Sequence, residues 1–201
     1  MPLKNKYSEP FLVECGVDEA GRGALAGPLF AAAVIFPSDY DNERINDSKQ
    51  LTRKQRNELR EIIEQDALSF SVASVSETVI DQINILNATF IGMNNAINGL
   101  FVKPELLLID GNRFRNDTGI PHQCCVKGDA NYLTIAAASI LAKTYRDEFM
   151  ETIDREFPQY NWKSNKGYPT AEHQKILMEQ GRTIYHRKSF QLKSQLRIEF
   201  D

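Results

Sequence analysis

The residues best equipped for chemistry lie in Gly16-Val17-Asp18-Glu19-Ala20-Gly21-Arg22-Gly23, where two adjacent acids are followed by an arginine between glycines. An apolar run, 11–17, precedes them and a second, 27–36, follows. Acids at the end of a buried strand are costly unless something compensates them. A divalent cation is one such compensator, and glycines let backbone approach a ligand closely. Two further acids share this setting: Asp110 ends the run Glu105 to Ile109, and Asp129 precedes the longest helical segment. In open α/β sheets, sites gather at the carboxyl ends of strands. Asp18, Glu19, Asp110 and Asp129 are therefore expected to converge. Hard divalent ions such as Mg2+ prefer carboxylate oxygens and keep several waters. Two of them roughly 3.5–4 Å apart can activate a water and stabilise the leaving oxygen of a phosphodiester. The three histidines, His122, His173 and His186, lack zinc-type spacing.

Each acid also has a plainer use. Asp129 suits a helix N-cap, and Asp110-Gly111 is a common turn pair. Asp18 and Glu19 are successive strand residues, which point to opposite faces; both serve one site only if the strand is ending there, as Gly21 and Gly23 indicate. Gly21-x-Gly23-x-x-x-Gly27 with Asp41 downstream also resembles a dinucleotide-binding turn. That motif needs a helix directly after the glycines, whereas Pro28 to Phe36 reads as a strand.

The elements that must position these residues follow from periodicity. Runs 11–17 and 27–36 are consecutive strands. Thr52 caps a helix with Leu59, Ile62 and Ile63 on one face. A strand at 68–75 leads into a helical stretch from Ser76 and Glu77 to about Gly99, with a break expected near Asn84 or Asn87. Strands follow at 105–110 and 123–126. A long alanine-rich helix from Ala130 to Phe157 is stopped by Pro158. After a polar loop comes a helix from Ala171 to Gln180, with Gly181 at its C-terminal end. This order implies an α/β domain with a mixed sheet over residues 1–160, and a C-terminal helical extension, 161–201, packed on it.

The chain has 201 residues, 42% hydrophobic and 25% charged, enough for a sizeable core. No apolar run approaches the roughly 20 residues of a membrane helix, and the two early lysines, Lys4 and Lys6, are followed by no apolar signal segment. Cys15, Cys124 and Cys125 form no CxxC, which points to reduced thiols and a cytoplasmic location. Net charge is −3, but it is uneven: the segment 161–198 holds eight basic and two acidic residues. A basic segment on an acidic body suits a polyanionic ligand, or is simply a solvated tail.

Six ordered blocks resemble the ribonuclease HII family: Asp18 to Gly23 with Leu25-Ala26-Gly27-Pro28; Asp47-Ser48-Lys49; Ile109 to Asn112; Lys127-Gly128-Asp129 with Ile135 to Lys143; Lys166 to Thr170 with His173; and His186 to Phe190. The resemblance implies a ribonuclease H-like fold and metal-dependent endonucleolytic cleavage of RNA in RNA–DNA hybrids. It also implies incision 5′ to single ribonucleotides in duplex DNA, leaving 3′-hydroxyl and 5′-phosphate ends. By the same likeness Asp18, Glu19, Asp110 and Asp129 hold Mg2+ or Mn2+, two ions with substrate bound. Discriminating RNA from DNA at one position requires contact with a 2′-hydroxyl, for which Gly21, Arg22 and Gly23 are the candidates. Tyr168 resembles the family's junction-sensing tyrosine. Lys49, Lys143, Lys166, Arg187 and Lys188 are expected on phosphates, which position a duplex without reading sequence. Ala24, where the family often has proline, and Tyr132 depart from the family pattern without removing a carboxylate. The chain is expected to act as a monomer on nucleic acid, with no membrane partner. Gln195 to Phe200 only faintly resembles a sliding-clamp peptide, and no clamp is expected.

Overall fold

The computed structural model describes residues 3–8 and 12–191. Strand β1 (Glu14–Ala20) is the third of five in a mixed sheet. It pairs antiparallel with β2 (Leu29–Ile35), which pairs antiparallel with β3 (Ser69–Val75). On its other side β1 runs parallel to β4 (Leu106–Asp110), and β4 parallel to β5 (His122–Cys125).

Helices cover both faces. α1 (Arg53–Asp66) starts at Thr52, whose side chain accepts from the Gln55 amide while Gln55 returns to Thr52, a reciprocal cap. α2 (Glu77–Asn98) starts at Ser76 and breaks at Asn84, which has φ 67°. The Asn84 Oδ1 accepts from the amides of Leu86 and Asn87 and so re-caps the helix beyond the break. α3 (Leu133–Asp154) lies with α1 on one face, packing Ala136, Ala137 and Leu141 against Ala32 and Val34. α2 packs Met93 and Ala96 on the other, against Ala31, Ala33 and Val17. The small side chains of β2, Ala31 to Ala33, let both layers approach a fully buried strand. Every expected element is present, with ends displaced by a few residues; α3 is shorter than expected because a separate 3-10 turn, Gly128–Ala130, precedes it. The polar loop contains a short α4 (Trp162–Asn165) before α5 (Ala171–Gln180).

The segment beyond α3 is knit to the turn after β1. The Leu25 amide donates to the Gly167 carbonyl at 2.7 Å, Gly27 to Tyr185 at 2.8 Å, and Arg187 to Leu25 at 2.9 Å. Among the described residues no helix is long and apolar enough to cross a membrane. The residues 195–200 considered above as a clamp peptide lie outside the described ones.

Candidate active site

The parallel pairing of β1 and β4 runs through Val17 and Ile109, so the next residues, Asp18 and Asp110, emerge from neighbouring strands. β1 ends at Ala20, directly before Gly21, as its glycines implied, so Asp18 and Glu19 lie in its last stretch of pairing against β2. Asp110 Oδ1 accepts the Gly128 amide at 2.7 Å, which ties the end of β4 to the turn carrying Asp129. Asp129 is not the cap of α3, because that helix begins at Leu133 with Tyr132 at its N-cap and no side-chain cap. Asp110 does precede a turn, with Gly111 at φ 101°. The turn and the site coexist.

The electrostatics are those of crowded anions. Burial raises the Asp18 carboxyl well above the usual range, and the charges of Glu19 and Asp110 push it further. Burial also raises Glu19, with Arg22 opposing at 3.2 Å. Asp110 is raised by burial and then by Asp129. Lys49 Nζ sits 2.7 Å from Asp129 Oδ2, and this contact raises the lysine. The donor set is all oxygen, which suits a hard ion. Among the described residues no three such side chains close into a metal cage.

A cavity of about 340 Å³ opens over three of these acids, lined by Asp18, Glu19, Asp110, Gly21-Arg22-Gly23, Lys49, Lys143 and Tyr168; Asp129 does not line it and reaches it only through its contact with Lys49. A larger groove of about 440 Å³ between α1 and α3 is lined by paired charges such as Arg60 and Glu148, and holds none of the four acids.

The glycine turn owes its shape to two arginines that are fully buried. Arg146 donates to the carbonyls of Pro28, Lys166 and Ala26 at 3.0, 2.9 and 3.1 Å. Arg187 donates to Gly27 and to Arg22, the latter at 3.0 Å. Gly21 has φ 97°, and a side chain there would meet Arg146 Nε at 2.1 Å; Gly23 faces open space within 4 Å. Gly21 is thus required by the arginine beneath it, whereas Gly23 leaves room for a ligand.

The expected phosphate contacts divide. Lys49 and Lys143 line the cavity; Lys143 also pairs with Asp147 at 2.6 Å and lies 5.7 Å from the Tyr168 ring centre. Arg187 is corrected: its donors all serve backbone carbonyls inside the protein. Lys166 does not line the cavity, and its ammonium is engaged by Glu151 at 2.6 Å and by the Lys163 carbonyl. Lys188 is exposed beside Asp81 of α2 and does not line the cavity. Two contributors were not singled out from sequence. One is Arg146 of α3, whose acceptors Pro28 and Ala26 lie more than a hundred residues away. Ser139, the lone hydroxyl in an apolar stretch, is the signal that was available: it hydrogen-bonds Ser48 at 3.0 Å and helps stabilise the Asp18 charge.

Comparison with known proteins agrees with this geometry. The sequence profile of the family described as Ribonuclease HII matches residues 15–193. A ribonuclease HII of Bacteroides thetaiotaomicron is 55% identical over 96% of this chain and 98% of its own. The crystal structure of ribonuclease H2 from Pyrococcus horikoshii superposes with a TM-score of 0.74 at 25% identity, covering 88% of this chain and 93% of that one. The ribonuclease HII of Archaeoglobus fulgidus, solved in complex with PCNA, gives 0.73 at 25% identity over 90% and 96%. A ribonuclease H-like sheet, with acids at the ends of its first and fourth strands and a profile match across nearly the whole length, leads to one conclusion: this chain belongs to the ribonuclease HII family of ribonuclease H hydrolases.

Proposed function

We propose that this chain is a divalent-metal-dependent endonuclease that cuts the RNA strand of RNA–DNA hybrids and also incises 5′ to a single ribonucleotide in duplex DNA. The products are a 3′-hydroxyl and a 5′-phosphate. The observation that carries the reading is one cavity lined both by Asp18, Glu19 and Asp110 and by Gly21-Arg22-Gly23 with Tyr168. Asp18, Glu19, Asp110 and Asp129 would hold Mg2+ or Mn2+, two ions with substrate present. Bound there, the metal supplies an activated water and neutralises charge on the leaving oxygen.

The remaining chemistry falls to this chain's own groups. Lys49, beside Asp129, limits the repulsion among the acids until substrate arrives. Gly23 leaves space for a ribose at the turn, where backbone groups of residues 21–23 can engage a 2′-hydroxyl as donor or acceptor. Tyr168, with the Arg146 guanidinium 5.1 Å from its ring centre, offers a supported aromatic face to the sugar that follows. Lys143 supplies positive charge on the same wall. In this reading residues 1–160 form the catalytic domain and 161–201 an extension whose Tyr168 touches substrate; the protein acts as a monomer in the cytoplasm in removing ribonucleotides and RNA primers. No clamp partner is proposed.

The test is a duplex bearing one ribonucleotide, incubated with Mg2+ or Mn2+. Incision 5′ to that position is expected, with an all-DNA control uncut; absence of incision in both metals rejects the reading. Tyr168→Ala is expected to lower kcat/KM on the single-ribonucleotide duplex by about 30-fold, near 2 kcal/mol, and on a long hybrid by less than about five-fold. Equal losses on the two substrates would count against junction sensing.

A further inference from the structure

Beneath Tyr168 lies a second cluster of titratable groups, away from the acids. His173 of α5 and His186 are buried at 0% and 2% exposure, and their Nε2 atoms lie 3.2 Å apart. Only one arrangement of hydrogens satisfies both rings. The Trp162 indole N–H is a donor only, and it lies 3.2 Å from His173 Nε2, which must therefore accept. The hydrogen of His173 then resides on Nδ1 and donates to the Tyr168 carbonyl at 2.9 Å. Because His173 Nε2 accepts, His186 Nε2 carries the hydrogen between the rings. His186 Nδ1 is left bare and accepts the Thr183 amide at 2.9 Å, with the Thr183 hydroxyl 3.0 Å away. Each ring nitrogen has a fixed role, and the two rings are opposite tautomers.

This pair stands between the two parts of the discriminating wall. On one side it holds the carbonyl of Tyr168. On the other, His186 bridges to Ala26 in an isolated antiparallel pairing, and its neighbour Arg187 holds the Arg22 carbonyl. We propose that His173 and His186 are a positioning pair for ribonucleotide discrimination: one neutral unit of opposite tautomers that sets Tyr168 against the Gly21-Arg22-Gly23 turn. The inference rests on the reading that this wall inspects a ribonucleotide. Neither histidine lines the cavity, so neither is a catalytic residue.

Acid should dismantle the unit. Burial lowers both histidines below their ordinary range, and His173 and Arg182 together help take His186 to about 3; Glu172 on α5 pulls His173 the other way. The folded values lie below the unfolded one of about 6.5. The contribution to stability is therefore complete above that pH and is lost as the pH falls from about 6.5 toward 3, while the unfolded chain takes up the protons.

The experiment compares the wild-type chain with His173→Gln in kcat and KM on the single-ribonucleotide duplex and on a long hybrid. The glutamine carbonyl oxygen can replace Nε2 as the acceptor for Trp162 and His186, but no atom of glutamine occupies the Nδ1 position, so the bond to the Tyr168 carbonyl is lost. Loss of one buried hydrogen bond is expected to lower kcat/KM on the single ribonucleotide about ten-fold, and on the hybrid less than about three-fold. An equal loss on both substrates, or no loss, overturns the proposal. Imidazole 15N spectra of the wild-type chain provide a second arm that does not depend on a folded variant. Nδ1–H on one ring and Nε2–H on the other is expected; two rings of the same tautomer, or a charged ring at neutral pH, overturns it. A wild-type chain that cuts hybrids but not the single ribonucleotide would instead reject the discrimination reading, with the pair then judged by its tautomers.

Discussion

Asp110→Asn is expected to reduce cleavage by about a thousand-fold or more, some 4 kcal/mol in the barrier, while duplex affinity stays within about two-fold of wild type. Asparagine keeps an oxygen for the Gly128 amide, so the link between β4 and the turn carrying Asp129 survives. What is lost is one negative charge among Asp18, Glu19 and Asp129. Because Asp110 is among the causes that raise both Asp18 and Glu19, its removal relieves repulsion in the metal-free chain. Melting without metal should therefore show a Tm equal to or above wild type. The sign can be checked with pH. Asp18, Glu19 and Asp110 have folded values above their ordinary ones, so folding favours their protonated forms. The cost of repulsion is greatest at neutral pH and fades as the pH falls through the raised values toward the ordinary carboxylate range. Any Tm advantage of Asp110→Asn should close over that interval. Cleavage near the wild-type rate would reject the metal-site assignment; a lower Tm would mean that the carboxylate mainly supports the fold.

Gly21→Ala and Gly23→Ala should separate two meanings of one motif. At Gly21 a methyl group meets the Arg146 guanidinium, and the backbone φ of 97° disfavours any side chain. Arg146 cannot easily retreat, since it holds three carbonyls and has no exposed surface. The expected cost is about 3 kcal/mol, or roughly 6–12 °C in Tm for a chain of this size. Activity should fall on every substrate because the turn itself is displaced. At Gly23 a methyl group meets nothing within 4 Å, so stability should change by less than about 0.5 kcal/mol. Incision should nevertheless fall about ten-fold or more, because the methyl occupies space kept for the ligand. Thermal melts beside incision rates decide the matter: a stable Gly21→Ala, or a fully active Gly23→Ala, would contradict these assignments.

Much of the site was legible in one dimension. Asp18, Asp110 and Asp129 each follow or precede an element whose periodicity is plain, and strand ends in an α/β sheet face one side. The break in α2 was visible as an asparagine, a residue that tolerates left-handed backbone and caps the helix that restarts. The family resemblance then supplied roles that spacing alone left open.

Charge was where linear reading failed. Eight basic residues in the C-terminal segment look alike as letters, yet Arg187 is buried on carbonyls, Lys166 is paired with Glu151, and Lys188 lies off the cavity. Whether a cation meets solvent phosphate or an internal acceptor depends on burial, and burial is a property of packing between distant segments. The same holds for Arg146, 118 residues from its Pro28 acceptor, and for the His173–His186 pair, whose rings meet each other and Trp162 only because α5, the loop after it and α4 pack together. By itself, then, the sequence determined the strand and helix order, the four acids and the flexible turn, because these follow from local periodicity and residue type. Only the tertiary structure decided which charges line the cavity and which hold the Asp18 to Gly23 turn in place, because desolvation and hydrogen-bond geometry are settled where remote segments meet.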